Sequence, residues 1–343
     1  MKIVNRKLYD EELQQALVDL PLENFFGKTI LITGATGMIG SCLVDLLLCH
    51  NELYTDKTIN IIALSRREEK LTERFFDNLS EDYFTVLAHD VTKPLPSDLQ
   101  FDFAVHAASP TDPSVMTKYP VNTMTANFVG MLNVLEVAKN CKAQRVMLVS
   151  SAEVYGNIDK ELKTETDYGY IDELNVRACY PMSKRAAETL CVSYQAQHGV
   201  DTVIARLCHT YGPTMIDGDN RAASSFLRDA ALGRKIVLNS NGSTVRSYLY
   251  VLDAARGIFF ILSKGSAGQA YNVAPNEAVS IGQFAELAAK YGVLEIEFKL
   301  QEECSFKILR QVLDNTALLH IGWTLQTSVE DGICKTIDLL RAY

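Results

Sequence analysis

Five short apolar runs, separated by stretches of helical periodicity, set the rhythm of the first two hundred residues. They are Lys28–Thr33 (KTILIT), Ile59–Leu64 (INIIAL), Phe84–Ala88 (FTVLA), Phe103–Ala107 (FAVHA) and Arg145–Val149 (RVMLV). Strands without polar alternation are buried on both faces, as in a parallel sheet. Between them lie an apolar helical run, Met38–Cys49, and a longer one, Val121–Lys139. Strand–helix alternation of this kind predicts a doubly wound α/β domain. Residues 9–20 read as a short amphipathic helix ahead of it. After about residue 210 the segments shorten and become more polar, with turn signals such as Asn239-Ser240-Asn241-Gly242. Tyr271–Val273 reads as one more sheet strand. Helices at Ile281–Tyr291 and Val329–Leu340, with a strand near Leu294–Leu300, predict a smaller α+β lobe at the C-terminal end.

Composition narrows this picture only a little. The chain has 343 residues, is 48% hydrophobic and 22% charged, and carries a formal charge of −9. That balance disfavours nucleic-acid or anionic-membrane partners. The eight cysteines (42, 49, 141, 179, 191, 208, 304 and 334) form no C-x-x-C pair and no zinc-ligand spacing with histidine, so no metal site is expected. They read as reduced core residues of a cytoplasmic protein. The N-terminus lacks the apolar core of a signal peptide, and no run is long enough to span a bilayer.

The first chemical motif is the turn TGATGMIG, Thr33–Gly40, which closes the first strand and opens the first helix. Gly34, Gly37 and Gly40 let the backbone turn sharply and let a pyrophosphate approach the helix N-terminus. Gly34, Thr36, Gly37, Met38, Ile39 and Gly40 are therefore candidate dinucleotide contacts. No G-K-[ST] follows, so this is not a P-loop. The second strand ends in Ser65-Arg66-Arg67 rather than an acid. A hydroxyl and guanidinium groups suit a 2′-phosphate, which favours NADP over NAD. Asp90 and Val91, after the third strand, are placed to meet the adenine.

Tyr180 and Lys184 stand one helical turn apart, about thirty residues after the strand end Ser150-Ser151-Ala152-Glu153, and the chain has no other Tyr-x-x-x-Lys pair. The glycine turn, Ser151 and Tyr180-x-x-x-Lys184 together resemble the short-chain dehydrogenase/reductase superfamily. More narrowly, they resemble its extended branch of NAD(P)-dependent nucleotide-sugar epimerases, dehydratases and decarboxylases. HAAS (His106–Ser109), ANFVGMLNVLEVA (Ala126–Ala138), RLCHTYGP (Arg206–Pro213), VRSYLYVLD (Val245–Asp253) and the segment Leu313–Ile333 extend the likeness from about residue 26 to the C-terminus.

The resemblance implies a Rossmann-type dinucleotide-binding domain at 26–210, with 247–274 returning to it. A substrate lobe would occupy 211–246 and 275–343, and 1–25 would form a helical extension. It implies further cofactor contacts at Ala107, Ala108, Ser109 and Asn127. It implies that Tyr180 takes a proton from a sugar hydroxyl at C4, that Lys184 lowers the tyrosine's pKa and holds the nicotinamide ribose, and that Ser151 orients the hydroxyl. Substrate contacts are expected at Ser109, Ser151, Ala152, Glu153, His209, Arg221 and Arg246. The sugar 4,6-dehydratases carry Thr-Asp-Glu where this chain has Ser151-Ala152-Glu153. The acid that would protonate a departing hydroxyl is missing, which counts against a dehydratase, while the uronate decarboxylases carry Thr-Ser-Glu. Family members usually have asparagine at the place of His209. The leading expectation is a nucleotide-diphosphate-sugar enzyme, a homodimer, with epimerase-like and uronate-decarboxylase-like chemistry level. An NADPH-dependent keto-sugar reductase, a dehydratase and a non-catalytic NAD(P)-sensing protein are the alternatives.

Overall fold

The structure, a computed structural model, describes residues 3–299 and 310–341. Its centre is a seven-stranded, wholly parallel sheet. The strands are β1 Thr29–Thr33, β2 Asn60–Ser65, β3 Phe84–Ala88, β4 Phe103–His106, β5 Arg145–Ser151, β6 Thr202–Leu207 and β7 Ala270–Val273. In space they run β7-β6-β5-β4-β1-β2-β3. The chain winds outward from β1 to β3 and then restarts at β4 on the other side of β1. That reversal opens a crevice at the carboxyl ends of β1 and β4, where ligands bind in doubly wound sheets.

The apolar runs form strands because the helices cover both faces. One core lies under Met38–Leu53 and Val251–Lys264 and continues into the C-terminal lobe. The other lies under Pro120–Cys141 and Cys179–His198, which pack on each other. β3 departs from the expected burial on both faces. It is the edge strand, and Thr85 and Ala88 are exposed. The helix expected at Met38–Cys49 continues to Leu53, where His50, Asn51 and Leu53 still belong to its last turn. The strand expected at Leu294–Leu300 is confined to Ile296–Phe298; Leu300 itself, like Cys304, lies outside the described residues.

The amphipathic N-terminal helix forms at Arg6–Leu17, slightly ahead of the expected 9–20. Tyr9, Leu13 and Ala16 are buried in the main core. The Tyr9 hydroxyl donates to Asp45 at 2.7 Å, and the Tyr250 hydroxyl donates to Glu12. Arg256 Nη1 donates to the carbonyls of Ala16 and Val18 at 2.6 and 2.7 Å, which ties the helix end to Val251–Lys264. The lobe beyond the sheet contains helices Ala222–Ala231, Ile281–Gly292 and Val329–Leu340 with short strand pairs. One of these sheets brings Val245–Arg246 between Val279–Ser280 and Arg310–Gln311.

Candidate active site

A cleft of about 930 Å³ opens at the β1/β4 crevice and runs to the lobe. Its floor is the glycine turn. Gly34 has φ +72°, and a Cβ there would stand 2.8 Å from the Ala108 backbone. A Cβ on Gly40 would stand 2.2 Å from the Gly34 carbonyl oxygen. Both positions therefore require glycine on steric grounds. The Thr33 hydroxyl accepts from the Ala108 N–H and contacts His106 Nδ1 at 2.9 Å, so the ends of β1 and β4 are locked together. His106 Nε2 faces the Ala126 carbonyl and must carry the proton, so Nδ1 accepts from Thr33. Burial, with the nearby Lys184 cation, pushes the His106 pKa down to about 3. Gly37 caps the helix Met38–Leu53 with no side-chain hydrogen bond, leaving its first-turn N–H groups to face the cleft. An uncapped helix end beside a cradle that only glycine fits suits a pyrophosphate. The residue set fits a dinucleotide.

Most of the expected cofactor residues meet on this wall. Gly34, Thr36, Gly37, Met38, Ile39, Gly40, Ser65, Arg66, Asp90, Val91, Ala107, Ala108 and Ser109 all line the cleft. The Thr36 and Ser65 hydroxyls lie 2.8 Å apart. Arg67 and Lys70 add two cations beside Arg66. Asn127 is not brought to the wall. Its side chain is buried behind the helix Cys179–His198, where its amide donates to the Ser183 hydroxyl at 2.9 Å.

Tyr180, Lys184, Ser151, Ala152 and Glu153 converge at the middle of the cleft. Two elements place them. β5 ends at Ser151 and turns at once into the 3₁₀ segment Ala152–Tyr155, with the Ser151 hydroxyl capping the Glu153 N–H at 3.2 Å. The helix Cys179–His198 lays Tyr180 and Lys184 alongside that turn. Tyr180 is 6% exposed and Lys184 2%. Lys184 Nζ donates to the Val149 carbonyl at 2.7 Å and stands 5.9 Å from the Tyr180 ring centroid. Burial lowers the Lys184 pKa to about 7, against the raising effects of Glu188 and Cys191. Burial and the Glu153 charge raise the Tyr180 phenol to about 12, opposed by a Ser151 hydrogen bond and by Arg221 and Arg177.

The lobe end of the cleft is built from charges that hold one another. Arg221 donates through Nε and Nη2 to both oxygens of Asp219, which also accepts from Ser224. His209 lines the cleft at an edge-on angle to Tyr248, with ring centroids 5.8 Å apart. Burial and the cations Arg246 and Arg221 push its pKa down to about 3, so it presents a neutral imidazole. Arg246 is close enough to Glu153 and Tyr248 for their charges to act on it, but it is not among the residues that line the cleft. Glu153 is paired with Arg177, whose Nη2 donates to its Oε1 at 2.8 Å. Sequence reasoning passed over Arg177, Asp219 and Gln311, another lining residue. Arg177 alone left a signal, because it precedes Tyr180 by three positions and such residues share a helical face.

No group of His, Cys, Asp and Glu among the described residues could hold a metal ion. No helix among them is long and apolar enough to cross a membrane.

Residues 30–274 match the NAD dependent epimerase/dehydratase family. A UDP-glucuronic acid decarboxylase of Xenopus tropicalis is 31% identical over 315 residues, 92% of this chain and 72% of its own length. A UDP-glucuronic acid decarboxylase of Arabidopsis thaliana is 32% identical over 322 residues, 91% of this chain and 90% of its own length. Among solved structures, a UDP-glucuronic acid 4-epimerase of Bacillus cereus, in complex with UDP-glucuronic acid and NAD, superposes with a TM-score of 0.77 at 21% identity. It covers 91% of this chain and 98% of that one. A dTDP-glucose 4,6-dehydratase of Streptomyces venezuelae with NAD bound gives 0.78 at 23% identity, covering 90% and 95%.

Proposed function

The chain belongs to the NAD dependent epimerase/dehydratase family, as an extended short-chain dehydrogenase/reductase, and from that premise we propose that it is a nucleotide-sugar enzyme that oxidises C4 and decarboxylates a UDP-linked uronic acid. When bound, NAD(P) supplies a hydride acceptor. Gly34, Gly37 and Gly40 would hold its pyrophosphate, and Tyr180 and Lys184 would flank its nicotinamide end. Tyr180 accepts the C4 hydroxyl proton, and Ser151 orients that hydroxyl. A cationic environment is needed to bring a buried phenol into working range, and Lys184, Arg177 and Arg221 surround it.

One observation carries the choice of reaction. The wall beside Ser151 has the carboxylate Glu153 but only the buried methyl of Ala152 where an acid would have to stand. Loss of hydroxide without a general acid forfeits about 10²–10⁴-fold in rate. A 4-keto uronate is a β-keto acid. Its carboxylate leaves as carbon dioxide and the electron pair passes into the enolate, which takes up a proton at C5. The hydride first removed from C4 would then return to it to give the pentose, and no leaving group has to be protonated. The decarboxylase relatives, similar over nine-tenths of this chain, support the same choice over epimerisation.

The test is incubation of the purified chain with UDP-glucuronic acid, with products separated by chromatography and identified by mass spectrometry and proton NMR. A UDP-pentose with release of carbon dioxide is the expected result. A uronic acid of unchanged mass but altered C4 configuration would replace decarboxylation by epimerisation.

A second reading rests on Ser65, Arg66, Arg67 and Lys70, which line the cleft after β2 with no acid among them. They support NADP over NAD, and with it an exchangeable NADPH-dependent keto-sugar reductase. Identifying the nucleotide released from denatured protein separates the two, since a recycling enzyme retains its dinucleotide. We further infer a homodimer through Pro120–Cys141 and Cys179–His198. Val121, Met124 and Phe128 on the first helix and Val192 on the second are exposed and apolar, which supports it. The seven described cysteines are free thiols, which supports a cytoplasmic location.

A further inference from the structure

Glu153 and Tyr180 work against each other. A carboxylate beside a phenol disfavours the phenolate that proton abstraction requires. The chain supplies a cation between them from an unexpected place. Val176–Ala178 forms a 3₁₀ turn, capped by Asn175, whose side-chain oxygen accepts from the Arg177 N–H at 2.9 Å. That turn runs straight into the helix Cys179–His198, so residues 177 and 180 share a face. The Arg177 guanidinium reaches Glu153 Oε1 at 2.8 Å and lies 6.0 Å from the Tyr180 ring centroid. Its other terminal nitrogen, Nη1, is buried without a hydrogen-bond partner. Burying an unpaired N–H is costly, so the side chain is held here by the two groups it touches and not by convenience.

We propose that Arg177 is a positioning residue of this active site, pinning the Glu153 carboxylate in place and screening its charge from Tyr180. The inference rests on the reading of Tyr180 as the group that takes the C4 proton. Glu153 then stays beside the sugar as a fixed anion while the neighbouring phenol can still ionise. The groups that face Tyr180 are Glu153 from the β5 turn, Arg177 from the 3₁₀ turn, Arg221 from the lobe, and Lys184 and Cys179 from its own helix. Glu153 raises the phenol's pKa, while Arg177 and Arg221 lower it. Removing Arg177 deletes one lowering charge and leaves Glu153 unbalanced. Less phenolate then forms at a given pH, so the acid limb of the turnover profile moves up in pH.

The experiment measures kcat, KM and the pH profile of the full chain with UDP-glucuronic acid for Arg177→Met, Arg177→Lys, Glu153→Gln, the double variant Glu153→Gln/Arg177→Met, and Tyr180→Phe. Arg177→Met is expected to move the acid limb up by about one pH unit and to lower kcat about tenfold at pH 7, with KM nearly unchanged. Arg177→Lys keeps the charge and is expected to return the limb close to its original place. Adding Glu153→Gln to Arg177→Met is expected to bring the limb back as well, because the charge that needed screening is gone. An unmoved limb in Arg177→Met, or effects of the two substitutions that simply add, would overturn the proposal. If Arg177→Met does not fold, Arg177→Lys decides alone, and a limb displaced by a full unit there would count against it. Tyr180→Phe separates the two levels. Lost turnover there with a silent Arg177→Met sinks the Arg177 proposal only. Retained turnover, or a wild-type chain inert toward UDP-glucuronic acid, removes the proposed function and this inference together.

Discussion

Around the glycine turn the cleft wall is peptide backbone and small side chains. Gly34 passes within a Cβ's width of Ala108, and Gly40 sits against the Gly34 carbonyl. At the sugar end the wall is paired charge. Asp219 grips Arg221, and Arg177 grips Glu153. In the proposed function the first end would take something common to every dinucleotide, a pyrophosphate that needs room and N–H groups. The second would distinguish one sugar from another with charges whose strength depends on their partners. A backbone wall fails when something intrudes. A charged wall fails when a partner is lost.

Tyr180 lies where the two ends meet, and its removal should separate them most sharply. Tyr180→Phe is expected to cut turnover by about 10²–10⁴-fold while the dinucleotide stays in the cleft, read from steady-state rates and the nucleotide content of the purified variant. Loss of the dinucleotide as well would break the division between the two walls. Next in size, Arg221→Ala strikes only the charged wall. It should raise KM for the nucleotide sugar about tenfold to a hundredfold, the worth of a charge-assisted hydrogen bond, with dinucleotide content unchanged. Gly40→Ala strikes only the backbone wall. A Cβ 2.2 Å from a carbonyl oxygen must force the turn open, at a cost of about 1–3 kcal/mol, seen as a lower melting temperature and a partly empty dinucleotide site.

The last effect is felt in stability alone and concerns Lys184, which serves both ends. Its pKa is lowered by burial to about 7, below its ordinary value near 10.4. Between those values the unfolded chain binds more protons at this position than the folded one. Stability contributed by Lys184 is therefore complete above the unfolded value and is lost as pH falls toward 7, with a slope of at most about 1.4 kcal/mol per pH unit. Urea unfolding between pH 7 and 9.5 should show a rise in the wild type that Lys184→Met lacks. Parallel curves would show that the lysine is solvated in a way its burial does not suggest.

The backbone wall was legible in the chain because its parts are consecutive: a strand, three glycines and a helix within a dozen residues. Tyr180 and Lys184 were legible less from their one-turn spacing than from their place about thirty residues after the Ser151 strand end. Asn127 reads as a cofactor contact from the family likeness, yet its helix turns it toward Ser183. A position on a helix is readable from sequence, but the neighbour that claims a side chain is not. β3 reads as apolar as its neighbours, and only its place at the sheet edge exposes it. The N-terminal helix carried an amphipathic pattern but no hint that Tyr9 and Glu12 would meet Asp45 and Tyr250.

By itself, the chain determined the order of strands and helices, the glycine cradle, and the Ser151, Tyr180 and Lys184 constellation. The first two follow from local periodicity and from steric limits on a few adjacent residues, and the third from the resemblance that its order and spacing carry. The tertiary structure decided which charges face which. Arg177 meets Glu153 across 24 positions, and Glu12 meets Tyr250 across 238. Charge pairs act over a few ångströms whatever the distance along the chain, so only the packing of one element against another could select these partners.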